Sequence, residues 1–222
     1  MPKTPLTREQ MARRVAQDIP DGAYVNLGIG IPTLVSDYIP AGREIIFHSE
    51  NGVLGMGPAP EKGKEDPYLV SPGKTFTTLL PGGSYSHHAD SFSMTRGGHI
   101  DIAVLGGMQV SAEGDLANWK VKGATLGGIG GAMDIAVGAK QLFVVMTHVT
   151  RRGEPKIVNA LSYPLTAMHC VTRIYTDIAV IVVTRKGLVL SDVAPGYTAA
   201  DVQAVTEPRL TVAHAPEKMA AA

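Results

Sequence analysis

Apolar positions follow two rhythms along the chain. Met11, Ala12, Val15, Ala16 and Ile19 recur at helical spacing, and Thr7 with Gln10 three residues on forms a capping box. An amphipathic helix is therefore expected from Thr7 to Ile19, stopped by Pro20-Asp21-Gly22. A short strand should follow at Ala23 to Leu27, then a turn at Gly28-Ile29-Gly30 and a helix opened by Pro32 that carries Leu34, Val35, Tyr38 and Ile39. Glu44 to His48 reads as the next strand. Farther on, Ile100 to Leu105, Gln141 to Thr147 and Asp177 to Thr184 are dense in Val, Ile and Leu without alternation, as in strands covered on both faces. Arg185-Lys186-Gly187 is expected to make a hairpin turn into Leu188 to Val193. The fold class these elements imply is α/β, an open, mostly parallel mixed sheet flanked by helices, in one domain spanning residues 1–222.

The remaining stretches lack either rhythm. Gly52 to Lys74 is filled with Gly, Pro and charges, which reads as a long surface excursion between the His48-Ser49-Glu50-Asn51 turn and a strand near Thr77 to Leu80. A loop of that length in a compact domain is usually functional. A weak helix at Ala199 to Val205 precedes a tail ending Lys218-Met219-Ala220-Ala221-Ala222. It has no hydrophobic pattern, so about the last ten residues are expected to be disordered.

Composition narrows the classes of function. Twenty Lys and Arg balance twenty Asp and Glu, so no overall field would hold nucleic acid or an anionic membrane, and an anionic ligand has to be gripped locally. The single cysteine, Cys170, allows neither an intrachain disulfide nor a thiolate metal cage, and suits a reducing cytoplasm. The start Met1-Pro2-Lys3-Thr4-Pro5 leads into a charged segment rather than an apolar signal core. No apolar run is long enough to span a bilayer. A soluble cytoplasmic protein is expected. With hydrophobic residues at 45%, the 25 glycines serve sharp turns in a folded chain, which places the chemistry in loops.

Three familiar motifs fail. Gly73-Lys74-Thr75 lacks the earlier glycine of a phosphate-binding loop, because Tyr68 stands there. Gly28-Ile29-Gly30 has Thr33 where a dinucleotide fingerprint needs its third glycine. Gly82-Gly83-Ser84-Tyr85-Ser86 has Ser86 in place of the glycine of a nucleophile elbow. Adjacent His87 and His88 diverge too far to share a metal, so they read as a helix start with one hydrogen-bonded histidine, and no metal site is expected.

What remains is His48-Ser49-Glu50-Asn51-Gly52-Val53-Leu54-Gly55-Met56-Gly57, in which a carboxylate follows an apolar strand directly, in a turn held by a glycine. Strand ends of open α/β sheets are where ligand crevices form. Read alone, such a glutamate could equally cap a helix or pair with Arg43 or Lys74. The string Ser49-Glu50-Asn51-Gly52, however, resembles the signature of the coenzyme A transferases named for that tetrapeptide. Tyr24-Val25-Asn26-Leu27-Gly28-Ile29-Gly30-Ile31-Pro32, Ala89-Asp90-Ser91-Phe92, Arg96-Gly97-Gly98-His99, Gly114-Asp115-Leu116-Ala117-Asn118-Trp119 and Gly130-Gly131-Ala132-Met133-Asp134 are similar, in order, to the beta subunit of beta-oxo acid coenzyme A transferases. The likeness runs from about Ala12 to Arg209.

That resemblance implies a coenzyme A transferase (NagB-like) fold and a catalytic subunit that works with an alpha subunit. Glu50 would attack an acyl-coenzyme A to give an acyl-glutamyl anhydride and then a glutamyl thioester. Gly131 and Ala132 would be backbone oxyanion donors. Asn26, Lys74, Gly28 and Gly30 would contact coenzyme A, which is a substrate rather than a permanently bound cofactor. The family's acid-binding residues lie largely on the alpha subunit, so acetoacetate, with succinyl-coenzyme A as donor, and 3-oxoadipate both stay open as acceptors. Two other readings compete: an acyl-coenzyme A hydrolase, if water reaches the anhydride, and a small-molecule sensing domain on a related fold.

Overall fold

The computed structural model describes residues 2–219 apart from 72, 122, 124 and 126, with the backbone alone at 214–218. The first helix, α1 (Arg8–Gln17), starts at the expected capping box: Gln10 N–H donates to Thr7 Oγ1 at 3.3 Å and Thr7 N–H to Gln10 Oε1 at 2.9 Å. Its far end is capped by Arg43, whose Nη1 donates to the carbonyls of Gln17 and Ile19. Then come β1 (Tyr24–Leu27) and a 3₁₀ helix over Pro32–Tyr38. An α-helix reaching Ile39 was expected there. Thr33 and Ser36 instead turn their hydroxyls back onto the carbonyls of Gly30 and Thr33, and Ile39 is already extended.

Next are β2 (Ile46–Ser49), β3 (Val53–Met56), β4 (Leu79–Tyr85), α2 (His88–Arg96), β5 (Ile102–Gly106), β6 (Gln109–Ser111) and β7 (Leu116–Ala117). The chain continues through α3 (Ala132–Gly138), β8 (Gln141–Val145), β9 (Ile157–Val158), β10 (Val171–Tyr175), β11 (Ala179–Thr184), β12 (Gly187–Val193), α4 (Ala199–Gln203) and β13 (Leu210–Lys218). Ten strands form one sheet in the order β13-β12-β11-β10-β8-β5-β1-β2-β3-β4, and β7-β6-β9 form a small second sheet. The central run β10-β8-β5-β1-β2 is parallel, and antiparallel hairpins extend it on both sides.

The lack of alternation in the central strands has a direct cause. Ile102 and Val104 of β5, with Phe143 and Val145 of β8, face a core layer built on α1. Ala103 and Leu105, with Leu142 and Val144, face the opposite layer, which holds Phe92 of α2 and Ile135 of α3. Both faces are buried, so every position is apolar.

Two expectations need correction. The excursion after Glu50 is not loop throughout: Val53 to Met56 turns straight back as β3 and pairs with β2 (His48↔Leu54) and β4 (Val53↔Tyr85). The tail does not fray after Arg209, because Leu210–Lys218 pairs with β12 in parallel (Leu188↔Leu210, Val193↔Lys218) and Met219 is buried against the α1 layer. Residues 220–222 lie outside the described residues. Among the described residues no helix is long and apolar enough to cross a membrane.

From β1 the chain moves one way to β2, and later returns to the other side of β1 as β5. The sheet thus has a switch point between β1 and β5, where the loops leaving the carboxyl ends diverge and a crevice must open.

Candidate active site

A cleft of about 570 Å³ occupies that switch point. Its lining comes from the ends of four neighbouring parallel strands: Glu50 after β2, Leu27 and Gly28 from β1, Gly106 and Gly107 from β5, and Val145 to Thr147 from β8. Gly128 to Ala132 close one wall. Gly28 donates its N–H to Val104 O at 2.8 Å, and a Cβ there would lie 2.9 Å from Leu105 Cδ2, so β1 and β5 approach this closely only over a glycine.

The turn after β2 singles out Glu50 by engaging its neighbours elsewhere. Gly52 N–H closes the turn onto Ser49 O at 3.0 Å, and Gly52 O receives Ser86 N–H at 2.8 Å. The buried Ser49 donates its hydroxyl to Asn51 Oδ1 at 2.5 Å, and Asn51 Nδ2 reaches across to Val70 O at 2.8 Å, tying the excursion to the turn. Beneath, Ser91 Oγ of α2 donates to Ser49 O at 3.0 Å and meets His48 Nε2 at 2.8 Å, while Asn26 Nδ2 lies 3.1 Å from His48 Nδ1. The amide nitrogen can only donate, so His48 accepts at Nδ1 and carries its proton on Nε2. Burial pushes His48's pKa down, in keeping with that neutral ring. Of the tetrapeptide, only Glu50 lines the cleft.

Gly131, the cap residue of α3, lies against that carboxylate. A Cβ built on it would stand 3.1 Å from Glu50 Oε2 and 2.5 Å from Phe92 Cζ, so a bare glycine is what lets backbone approach here. Ala132, the second expected oxyanion donor, is engaged: its N–H donates to Ile129 O at 3.1 Å. The Gly131 N–H has no protein acceptor among the described residues. His88 Nδ1 sits 3.0 Å from the Glu50 carbonyl oxygen, its ring meets Phe92 edge-on at 4.9 Å, and His87 caps α2 by accepting from Ala89 N–H at 3.1 Å. The histidine pair is therefore a helix start, and its second member touches the nucleophile's backbone.

The expected site residues divide into two groups. Glu50, Gly28, Gly30, Gly131 and Ala132 share the cleft. Asn26 is buried behind it, bonded to His48, and Lys74 is exposed on the excursion; neither lines the cleft. Arg43, a rival partner for Glu50, is committed to α1. Reading by motif missed Lys156, whose side chain enters the cleft beside Thr147. It precedes a two-residue strand, and no pattern in Pro155-Lys156-Ile157-Val158 distinguishes it from a loop charge. Among the described residues no three His, Cys, Asp or Glu gather closely enough to hold a metal ion.

Burial raises the Glu50 pKa, with His88 opposing more weakly. A half-desolvated carboxylate is a stronger nucleophile once ionised, and it needs no base to deprotonate it near neutral pH. Its attack on an electrophile should gain speed as pH rises through a value above the ordinary 4.5 of glutamate. Single-turnover rates between pH 4 and 8 should show that acid limb, and a limb at or below 4.5 would contradict the burial argument.

The sequence matches the profile of the family described as coenzyme A transferase over residues 8–205. It is 59% identical over 184 residues to the beta-type chain of the 3-oxoadipate CoA-transferase of Pseudomonas putida, covering 82% of this chain and 86% of that one. It is 44% identical over 205 residues to the corresponding chain of the succinyl-CoA:3-ketoacid coenzyme A transferase of Helicobacter pylori, covering 92% and 99%. The fold is similar, with a TM-score of 0.76 and 21% identity, to the acyl-CoA transferase YdiF of Escherichia coli O157:H7; the match covers 99% of this chain and 44% of that longer one.

Proposed function

This chain belongs to the coenzyme A transferase family, and from that premise we propose that it moves coenzyme A between succinyl-coenzyme A and a beta-oxo acid by covalent catalysis on Glu50. It is the beta-type half of such a transferase, working with an alpha subunit. A Glu50 oxygen attacks the thioester carbonyl. The carbon–sulfur bond breaks, coenzyme A leaves as thiolate, and an acyl-glutamyl anhydride remains. The thiolate then attacks the glutamyl carbonyl of the anhydride, the donor acid departs as carboxylate, and Glu50 holds coenzyme A as a thioester. The acceptor carboxylate runs both steps in reverse, so the thioester energy is kept throughout.

Each attack builds negative charge on a carbonyl oxygen. The free Gly131 N–H, next to the Glu50 carboxylate, is a ready donor for it, a contribution of about 3 kcal/mol in comparable oxyanion holes. Ala132 would have to release Ile129 O to join it. Gly28 and Gly30 let the coenzyme lie against bare backbone. Asn26 acts through His48 on the turn, and Lys74 meets the coenzyme from the excursion that Asn51 tethers. A cytoplasmic site of action accords with the lone cysteine.

For the acceptor, 3-oxoadipate is the better candidate than acetoacetate. The support is the higher identity to a relative named for 3-oxoadipate than to one named for a 3-ketoacid.

One observation carries the reading: a single half-buried carboxylate, with no bond partner at its oxygens but a bare glycine beside it, faces the switch-point cleft. It is tested by adding acyl-coenzyme A to the assembled enzyme without acceptor, reducing with borohydride, and locating the modified residue by peptide mass. Reduction at Glu50 is the expected result. Modification elsewhere, or free coenzyme A accumulating with no trapped thioester, would replace it with another nucleophile or with hydrolysis.

A further inference from the structure

Among the residues lining the cleft, two carry charge: Glu50 at one end and Lys156 at the other. The order β2-β1-β5-β8 puts three strand spacings between the turn that bears Glu50 and Thr147, which follows β8 and contacts Lys156. At about 4.8 Å per spacing the separation is roughly 14 Å between backbones, and both side chains reach inward from it.

Lys156 is held for a purpose other than pairing within the chain. Its backbone is fixed on both sides, donating to His148 O at 3.1 Å and accepting from Val110 N–H at 2.9 Å. Its ammonium, by contrast, makes one long contact, 3.4 Å to Thr147 Oγ1. Burial lowers its pKa while Asp177 opposes, but Asp177 is itself occupied, accepting the His148 N–H at 2.7 Å. The neighbouring His148 ring is bonded to Thr176 and Thr206, and burial takes its pKa down to about 4, so it adds no charge at neutral pH. A half-buried cation with its backbone fixed and its donors nearly idle is preorganised for an incoming anion.

We propose that Lys156 is a specificity residue that pairs with the distal carboxylate of a dicarboxylic acyl group while the thioester end of that group lies at Glu50. The inference rests on Glu50 being the nucleophile. Monocarboxylic acyl groups of the same length leave the ammonium unpaired and gain nothing from it. The pairing favours succinyl and 3-oxoadipyl groups over acetoacetyl, in line with the acceptor preferred above. A coenzyme phosphate would also attract a cation. A single ammonium in an apolar wall, with no second cation lining the cleft, suits one carboxylate better than a diphosphate.

Succinyl-coenzyme A and butyryl-coenzyme A differ by a carboxylate in place of a methyl group, and so isolate the contact. In the assembled enzyme, formation of the Glu50 thioester is followed from each, for the unsubstituted chain, Lys156→Met and Lys156→Arg. The methionine variant should lose roughly 10- to 100-fold in kcat/KM with succinyl-coenzyme A and be unchanged with butyryl-coenzyme A, while the arginine variant keeps most of the preference. Should methionine prevent folding, Lys156→Gln, which keeps a polar end, takes its place. Equal losses with both thioesters would assign Lys156 to the coenzyme or to the fold, and an unaltered preference would leave it no role; either result overturns the proposal. If the unsubstituted enzyme formed no Glu50 thioester from either compound, the failure would lie with the nucleophile and not with Lys156.

Discussion

Glu50→Gln, assembled with the alpha subunit, is expected to lose transferase activity by on the order of 10⁴-fold or more, the scale on which enzymes lose rate when a covalent nucleophile is removed. The amide is nearly the same size and cannot form the anhydride. Stability should move the other way. A carboxylate whose folded pKa is raised by burial binds its proton more tightly in the folded state, so it favours folding below that pKa and costs stability as pH rises through it. Removing the charge should leave Tm at pH 7 unchanged or higher. Progress curves must be read early, since deamidation would regenerate the acid. Undiminished early turnover would end the Glu50 assignment, and a large fall in Tm would show a structural role instead.

Gly52→Ala should be the most damaging substitution that removes no functional group. Gly52 has φ +106°, which side chains rarely tolerate, and a Cβ there would lie 2.2 Å from the Ser86 carbonyl oxygen. Backbone must move by about an ångström, which misplaces the adjacent nucleophile, and errors of that size cost on the order of 10²-fold in rate. Strain of a few kcal/mol should lower Tm by roughly 5 °C or more in a chain of this length. Gly30 provides the control: its φ is +98°, but a Cβ would meet nothing within 4 Å. Gly30→Ala carries only the conformational part, so its Tm should fall less. If the two alanine variants had equal Tm and activity, the contact with Ser86 would not matter.

The parts of this fold that could be read from the sequence are those where one physical rule acts alone. The Thr7–Gln10 capping box and the continuous apolar strands β5, β8 and β11 appear where expected, because capping and two-sided burial leave direct marks on residue type. The hairpin β3–β4 was hidden. Gly55 has a positive φ and packs against Gly83, and β4 contains Pro81-Gly82-Gly83, residues that normally mark loops but that an edge strand tolerates. β13 was missed because its partner is a single strand, β12, so little burial is imprinted on it. In the site, Glu50 stood out through its resemblance to a known string and Lys156 did not. The fold brings Lys156 into the cleft through pairing of β9 with β6, a contact between residues nearly 50 positions apart that no local pattern encodes.

The glycines under the cleft have a consequence for how activities in this family can diversify. Gly28, Gly106 and Gly107 present peptide rather than side chains, and a Cβ at Gly107 would lie 2.6 Å from Val144 Cγ1, so that surface resists substitution. Bare peptide offers the same amides to every thioester and has no means of distinguishing a short acid from a long one. Selectivity can therefore be rewritten in the surrounding side chains without disturbing the machinery that handles sulfur and carbonyl.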